Sequence, residues 1–134
     1  MLEVNKIPPA QKMKIIIAGS RTITNKYLIN RNIFKGIESL VPFSKIDETI
    51  IISGGARGVD TEGESWAKSF GFPVKRFLPE WNKYGKKAGF LRNKEMINEA
   101  DALIAIWDGK SKGTEHTINL AKEKNIPFYV EIIK

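Results

Sequence analysis

The sequence predicts one α/β domain, a parallel sheet of about five strands with helices on both of its faces. Strand-like and helix-like segments alternate along the whole chain, which is typical of strands joined by right-handed helical crossovers. The 134 residues suit one domain of ordinary size, and the hydrophobic share of 42% is enough for a core. We therefore expect the domain to span residues 13–134, after a flexible leader at residues 1–12.

The strands are predicted from short runs of apolar and β-branched residues. The first run, Met13–Ala18, is almost continuously apolar, which is typical of a strand buried on both faces. The full set of predicted strands is Met13–Ala18, Glu48–Ser53, Pro73–Leu78, Ala102–Trp107 and Pro127–Ile133.

Helices are predicted between these strands. The first, Tyr27–Leu40, repeats its apolar residues at helical spacing along one face and ends before Pro42. Asp60 is interpreted as the N-cap of the second helix, and residues 79–89 are expected to form a loop. The remaining predicted helices are Thr61–Phe70, Phe90–Glu99 and Thr114–Lys124.

The glycine-rich run Ser53–Asp60 follows the second strand directly and leads into the second helix. Its glycines let backbone N–H groups converge without a Cβ in the way, and the helix N-terminus behind them adds partial positive charge. This combination favours an anion, most often a phosphate. The alternative is a tight turn that needs glycine only for its backbone geometry. The candidate ligand-binding residues here are Ser53, Gly54, Gly55, Arg57 and Asp60.

A second turn, Gly19-Ser20-Arg21, follows the first strand. It lacks the GxGxxG spacing of a dinucleotide-binding fingerprint. The second strand also ends in Ser53 and two glycines, and not in the acidic residue that would hold the ribose of NAD. The sequence therefore argues against an NAD-dependent dehydrogenase, and no cofactor is predicted. Gly19, Ser20 and Arg21 are candidates for holding a phosphate, with a solvated surface charge as the alternative for Arg21.

The segment after the third strand mixes cations with aromatic side chains. Residues 83–92, which include Tyr84 and Phe90, could together with Trp81 stack a base and neutralise phosphates. The alternative is a loop whose aromatic side chains only cover the edge of the sheet. Arg92 and Asn93 open the next helix beside the expected pocket, where an arginine can pair bidentately with a phosphate.

The turn after the fourth strand leads into Gly113-Thr114-Glu115. Backbone N–H groups and the Thr114 hydroxyl could hold an anion there. Glu115 is interpreted as complementing the helix dipole, and Glu115 and Arg92 are the catalytic candidates of the chain. His116, the single histidine, is assigned neither a catalytic nor a ligand role. The spacing of acidic residues and histidine matches no metal site, so no metal is predicted.

The formal net charge of +7 favours anionic partners, among them a phosphorylated small ligand or single-stranded nucleic acid. Basic residues gather without any acid in residues 21–35 and 82–94. The chain contains no cysteine, which fits a cytoplasmic protein. No apolar run approaches the length of a membrane span, so no membrane partner is expected.

Taken together, these segments resemble the SLOG superfamily, and within it the YspA-like (YpsA-related) branch of small proteins from bacteria and phages. The resemblance runs from about Met13 to the C-terminus. It implies a Rossmann-like fold, a nucleotide or nucleotide-derived ligand at the carboxyl edge of the sheet, and a homodimer. The segments that carry it are Gly19-Ser20-Arg21, Ser53–Asp60, Trp81–Gly85, Ala88–Met96 and Lys112–Glu115.

Two related groups imply alternative functions. The DNA-processing protein A group shares the SGGARGxD turn and the F..RN element, and it implies single-stranded DNA binding. The Lonely-guy group, also called lysine-decarboxylase-like, shares Arg92 and Gly113-Thr114 and implies a phosphoribohydrolase acting on nucleoside monophosphates. Thr117 stands where that group has its catalytic glutamate, and Glu115 points about 200° away from that position on a helix. The sequence therefore favours a ligand-binding domain over an enzyme.

Overall fold

The structure, a computed structural model, describes residues 12–134. Five parallel strands form one sheet in the order β3-β2-β1-β4-β5. The predicted α/β fold with a five-stranded parallel sheet is therefore confirmed. The strands are β1 (Met13–Gly19), β2 (Thr49–Ser53), β3 (Val74–Arg76), β4 (Ala102–Trp107) and β5 (Phe128–Ile132).

The helices cover both faces of this sheet, because right-handed crossovers from β1 toward β3 place helices on one face and those that lead back to β4 and on to β5 place them on the other. The isoleucines of β1 alternate between two cores, with Ile15 and Ile17 facing one core and Ile16 facing the other. Helices α1 and α2 pack on the first core, and α4 and α5 pack on the second. The helices are α1 (Lys26–Leu40), α2 (Val59–Ser69), α3 (Trp81–Tyr84), α4 (Ala88–Glu99) and α5 (Lys112–Lys124).

Two sequence predictions about local structure are wrong. Helix α2 begins at Val59 behind Gly58, whose φ of 74° places it in the left-handed region, so Asp60 lies inside the first turn and is not the N-cap. The predicted loop at residues 79–89 instead contains α3 and a 3-10 turn, Gly85–Lys87. Most of the predicted leader, residues 1–11, lies outside the described residues.

The strand order creates a crevice at the carboxyl edge of the sheet. From β1 the chain moves outward through β2 and β3, and then returns to place β4 on the other side of β1. The turns that follow β1 and β4 therefore diverge from each other, and in open parallel sheets ligands bind in the space between such turns. Within residues 12–134, no helix is long and apolar enough to cross a membrane.

Candidate functional site

A groove of about 930 Å³ lies at this crevice. It is lined by the turns after β1 and β2, by α3 and the start of α4, and by the start of α5. The structure thus brings together most of the residues that the sequence predicted for ligand binding. Those that line the groove are Gly19, Ser20, Arg21, Gly54, Gly55, Arg57, Asp60, Trp81, Arg92, Asn93, Gly113 and Thr114. Ser53, Tyr84 and Glu115 are not among the lining residues.

The floor of the groove depends on close backbone approach at Gly19 and Gly58. A Cβ on Gly19 would overlap the carbonyl oxygen of Ile106 and would lie 2.6 Å from the Val59 side chain. A Cβ on Gly58 would lie 2.6 Å from the carbonyl oxygen of Ser20. The turns after β1 and β2 therefore pack directly on each other, which requires glycine at both positions.

Asp60 joins these two turns from below. Its carboxyl group is 5% exposed and accepts hydrogen bonds from the backbone N–H groups of Gly19 and Ala56, each at 3.3 Å. Burial raises the pKa of Asp60 to about 6, although the two N–H donors and the nearby Arg92 favour the ionised form. Asp60 thus links the turns after β1 and β2 through buried hydrogen bonds.

Arg92 reaches across the groove from the first turns of α4. Its Nη1 donates to the carbonyl oxygen of Gly54 at 2.5 Å, and more weakly to that of Phe77 at 3.4 Å. A Cβ on Gly54 would lie 2.6 Å from the Arg92 Nη1, so the guanidinium rests where a side chain would otherwise be. Burial lowers the pKa of Arg92, and Asp60 opposes that effect. An arginine stays charged under these conditions, so it supplies a fixed cation in the groove.

Asn93 links Arg92 to the start of α5. Its Oδ1 accepts a hydrogen bond from the Arg92 Nε at 2.9 Å, and its Nδ2 donates to the carbonyl oxygen of Gly113 at 3.3 Å. Asn93 is 4% exposed, so this bridge is shielded from water. Two segments that are 20 residues apart in the chain are therefore held side by side at the groove.

The N-terminus of α5 is open toward the groove. Ser111 occupies the N-cap position, but its hydroxyl bonds to Asp108 and Ser20 instead of capping the helix. In the described chain, the first backbone N–H groups of α5 have no hydrogen-bond partner. The Thr114 side chain is 6% exposed, lines the groove, and makes no hydrogen bond with any described residue. Donors thus face the groove without a protein acceptor.

Thr117 and Glu115, the two residues that bear on the hydrolase alternative, differ in their position relative to the groove. Thr117 lines the groove, and its hydroxyl donates to the carbonyl oxygen of Gly113 at 3.1 Å. Glu115 is half-buried and outside the lining. Asp60 is the single acidic residue among the residues that line the groove.

An aromatic rim borders the groove. Trp81 is 58% exposed and lies over Gly89, where an added Cβ would be 3.5 Å from the indole ring. Phe90 is exposed beside it. Tyr84 lies outside the groove, and the Lys83 ammonium is 5.0 Å from the centre of its ring. The basic side chains that line the groove are Arg21, Arg57, Lys86, Arg92 and Lys112.

Ser53 is buried under the turn and has a different role from the one predicted. Its hydroxyl donates to the Glu64 carboxylate at 2.6 Å and accepts the backbone N–H of Gly55 at 3.1 Å. Glu64 also forms an ion pair with Arg76. This chain of polar contacts supports the turn after β2 from behind.

Sequence reasoning missed Ser111, which lines the groove, whereas Lys86, Lys112 and Thr117, which also line it, belong to segments or positions that the sequence singled out. Ser111 and Lys112 lie between the fourth predicted strand and the next predicted helix. This position could have marked both as candidate ligand-binding residues, because helix N-termini at the carboxyl edge of the sheet face the crevice. Nothing in the sequence showed that Ser111 would turn its hydroxyl toward Asp108 and leave α5 uncapped.

This chain is similar to a protein-family model, to a phage protein and to a solved structure. Residues 13–84, slightly more than half of the chain, match the model of the YspA, cpYpsA-related SLOG family. The chain is also 40% identical over 84 residues to the gene 61 protein of Mycobacterium phage D29, across 58% of this chain and 67% of that protein.

A solved structure of DNA processing protein A from Streptococcus pneumoniae is similar with a TM-score of 0.66 and 18% identity. The similarity covers 90% of this chain and 50% of that one, so this chain spans half the length of its structural relative. At this identity the likeness concerns the fold. The resemblance stated from the sequence is confirmed, since the family match contains the turns after β1 and β2: the chain belongs to the YspA, cpYpsA-related SLOG family.

Proposed function

We propose that this domain binds a nucleotide or nucleotide-derived phosphorylated ligand in the groove. The observation that carries the proposal is the arrangement of Arg92 beside the uncapped N-terminus of α5, with Asn93 holding the two together. A charged guanidinium and a set of unpaired N–H and O–H donors are the groups that bind phosphate oxygens. Family membership and fold support a nucleotide- or nucleic-acid-binding domain in general.

The charge balance of the groove supports an anionic ligand. Five basic residues line it, against the single acidic residue Asp60. The Asp60 carboxyl already accepts hydrogen bonds from two backbone N–H groups and lies near Arg92. It therefore neutralises little of the positive charge of the other basic residues. A groove lined by one sign of charge concentrates ligands of the opposite sign.

The aromatic rim supports a ligand that also carries a base. Trp81 and Phe90 are both exposed at the groove, close to Lys86. Stacking on an indole or phenyl ring contributes to nucleotide binding without requiring a particular base. We therefore expect the phosphate to lie near Arg92 and Thr114, and the base to lie near Trp81.

Calorimetric titration with nucleoside mono- and diphosphates, cyclic nucleotides and ADP-ribose derivatives tests the proposal. Arg92→Ala is expected to weaken binding by roughly tenfold or more, since a charge-assisted contact is lost. Arg31→Ala is the matched control, because Arg31 is an exposed arginine of α1 outside the groove lining. No heat with any of these compounds, or equal losses in the two variants, would contradict the proposal.

A second candidate is single-stranded nucleic-acid binding. Exposed Trp81 and Phe90 stand beside basic groove residues, which suits successive stacked bases and their phosphates. This candidate predicts that affinity for an oligonucleotide falls steeply as salt increases, because counterions are released. Binding that is absent, or that does not change with salt, would remove it.

The hydrolase alternative receives less support from the geometry. The groove presents Thr117 where a catalytic carboxylate would be needed, and Asp60 is held by backbone N–H groups. This alternative would be supported if the protein released free base from nucleoside monophosphates and if Arg92→Ala abolished that release.

A cytoplasmic location and a homo-oligomeric state complete the proposal and rest on composition and resemblance. Native mass spectrometry of the purified protein would report the oligomeric state. It would also report any ligand that co-purifies.

A further inference from the structure

Asn93 has an orientation that its neighbours fix. The Arg92 Nε donates to its Oδ1 at 2.9 Å, and its Nδ2 lies 3.3 Å from the carbonyl oxygen of Gly113. A guanidinium can only donate hydrogen bonds and a backbone carbonyl can only accept them. Turning the amide around would therefore break both bonds at once.

His116 is the third neighbour of this amide. The His116 Nδ1 lies 3.2 Å from the Asn93 Nδ2. Because that nitrogen of Asn93 carries only donors, the His116 Nδ1 has to accept and is therefore unprotonated. The imidazole is neutral, with its proton on Nε2. Phe90 packs edge-on against the imidazole, with ring centroids 4.6 Å apart.

We propose that His116 is a positioning residue whose neutral form holds Asn93, and through it Arg92 and the start of α5, in the arrangement that receives an anion. Protonation at Nδ1 would aim a second donor at the Asn93 amide. The amide would then have to move, and Arg92 would lose its Nε acceptor. The inference rests on the proposed anion site, and it adds that affinity for the anion falls when His116 becomes charged.

The charged groups that act on the pKa of His116 are Lys94 of α4 and Glu123 of α5. Burial lowers the pKa of His116, Lys94 lowers it further, and Glu123 opposes them. No charged side chain of β1 or β4, the strands packed beneath α5, contributes among the described residues. The transition is therefore expected on the acid side of neutrality.

Two other effects of pH act in the opposite direction. Asp60 ionises near pH 6, which adds negative charge to the groove as the pH rises. An imidazolium would also attract an anion through space, although His116 lies outside the groove lining and water screens that attraction. A variant without a titratable group at position 116 separates these effects from the positioning role.

The positioning role can be tested without any ligand. NMR of the full chain would follow the Asn93 side-chain amide and the Arg92 Nε–H between about pH 5 and 8. Both signals are expected to shift with the same midpoint as the His116 ring. His116→Asn keeps an uncharged acceptor near the Nδ1 position and should remove that transition, and His116→Leu, which has no group that titrates, should remove it as well. The inference would be overturned if the Asn93 and Arg92 signals did not change as the His116 imidazole titrates.

The effect on affinity is measured with sulfate, because its charge does not change in this pH range. Relative to His116→Asn, the wild-type protein is expected to lose affinity as the pH falls through the midpoint that NMR gives for the His116 ring, by about three- to tenfold once the ring is fully charged, the equivalent of one hydrogen bond. A ratio that stays constant, or that rises toward low pH, would overturn the inference. If sulfate binds to neither protein, the proposed anion site fails, and the NMR titration alone decides the role of His116.

Discussion

The Oδ1 atom of Asp60 accepts a hydrogen bond from the backbone N–H of Gly19 at 3.3 Å, which ties the first turn of α2 to the end of β1. The two residues are 41 positions apart, and their contact lies at the bottom of the groove.

The first prediction concerns the pH dependence of stability at Asp60. The pKa is raised from 3.8 to about 6 in the folded protein, so the folded state holds the proton more tightly than the unfolded chain. Asp60 therefore lowers stability as the pH rises from about 4 to 6, by about 1–3 kcal/mol in total, and the loss is complete above that range. Urea denaturation of the wild type and of Asp60→Asn at about pH 4.5 and 7.5 measures this. The unfolding free energy of Asp60→Asn, relative to that of the wild type, should be larger at about pH 7.5 than at about pH 4.5. Parallel pH curves for the two proteins would refute the prediction.

The second prediction compares two glycines of the groove. Gly19→Ala should destabilise the protein by about 2 kcal/mol or more, because its Cβ would overlap the Ile106 carbonyl and the Val59 side chain. Gly113→Ala has no atom within 4 Å of the added Cβ and lies in the first turn of α5, so we expect a stabilisation of up to about 1 kcal/mol. Urea denaturation of both variants measures this contrast. Equal effects would show that close packing at Gly19 is not the cause.

The third prediction concerns the support behind the turn after β2. Glu64→Ala should cost about 1–3 kcal/mol, because it leaves the buried Ser53 hydroxyl without its acceptor, whereas Arg76 is largely exposed and can be solvated. Glu62→Ala is the control from the same helix and should cost less than about 1 kcal/mol. Hydrogen exchange at the Gly55 amide, which donates to Ser53, should accelerate only in the Glu64 variant.

The fourth prediction separates base binding from phosphate binding. Trp81→Ala should weaken nucleotide binding by about 1–3 kcal/mol through lost stacking, and should leave binding of inorganic phosphate unchanged. Tyr84→Ala is the control, because Tyr84 belongs to the same short helix but lies outside the groove lining. Calorimetry with a nucleotide and with phosphate distinguishes the cases, and parallel losses for both ligands would refute a stacking role.

The sequence predicted the sheet and the edge that carries the groove, because continuous apolar runs and glycine-rich turns are local signals. It placed Ala102–Trp107 correctly to the residue. It also predicted the proximity of Arg92 and Gly113, since turns at the carboxyl ends of parallel strands share one edge.

The roles of individual polar residues could not be predicted in this way. Asp60 resembles an N-cap in the sequence, but Gly58 supplies the left-handed conformation that starts the helix two residues earlier than expected. Ser53 resembles a phosphate ligand, yet its hydroxyl is bound to Glu64, a partner 11 residues away on the next helix. Such roles depend on which tertiary partner lies within hydrogen-bonding distance, and no local pattern encodes that.

The pairing of β1 with β4 has a consequence for how the domain can form. Ile15 lies opposite Ala102, so the central strand acquires its second neighbour only after most of the chain has been made. A fragment that ended at residue 84, where the family match ends, would leave one edge of β1 unpaired and exposed to association with other chains. It would also lack Arg92 and α5. The sheet and the groove therefore both depend on the same pairing between distant parts of the chain, a kind of contact that is slow to form.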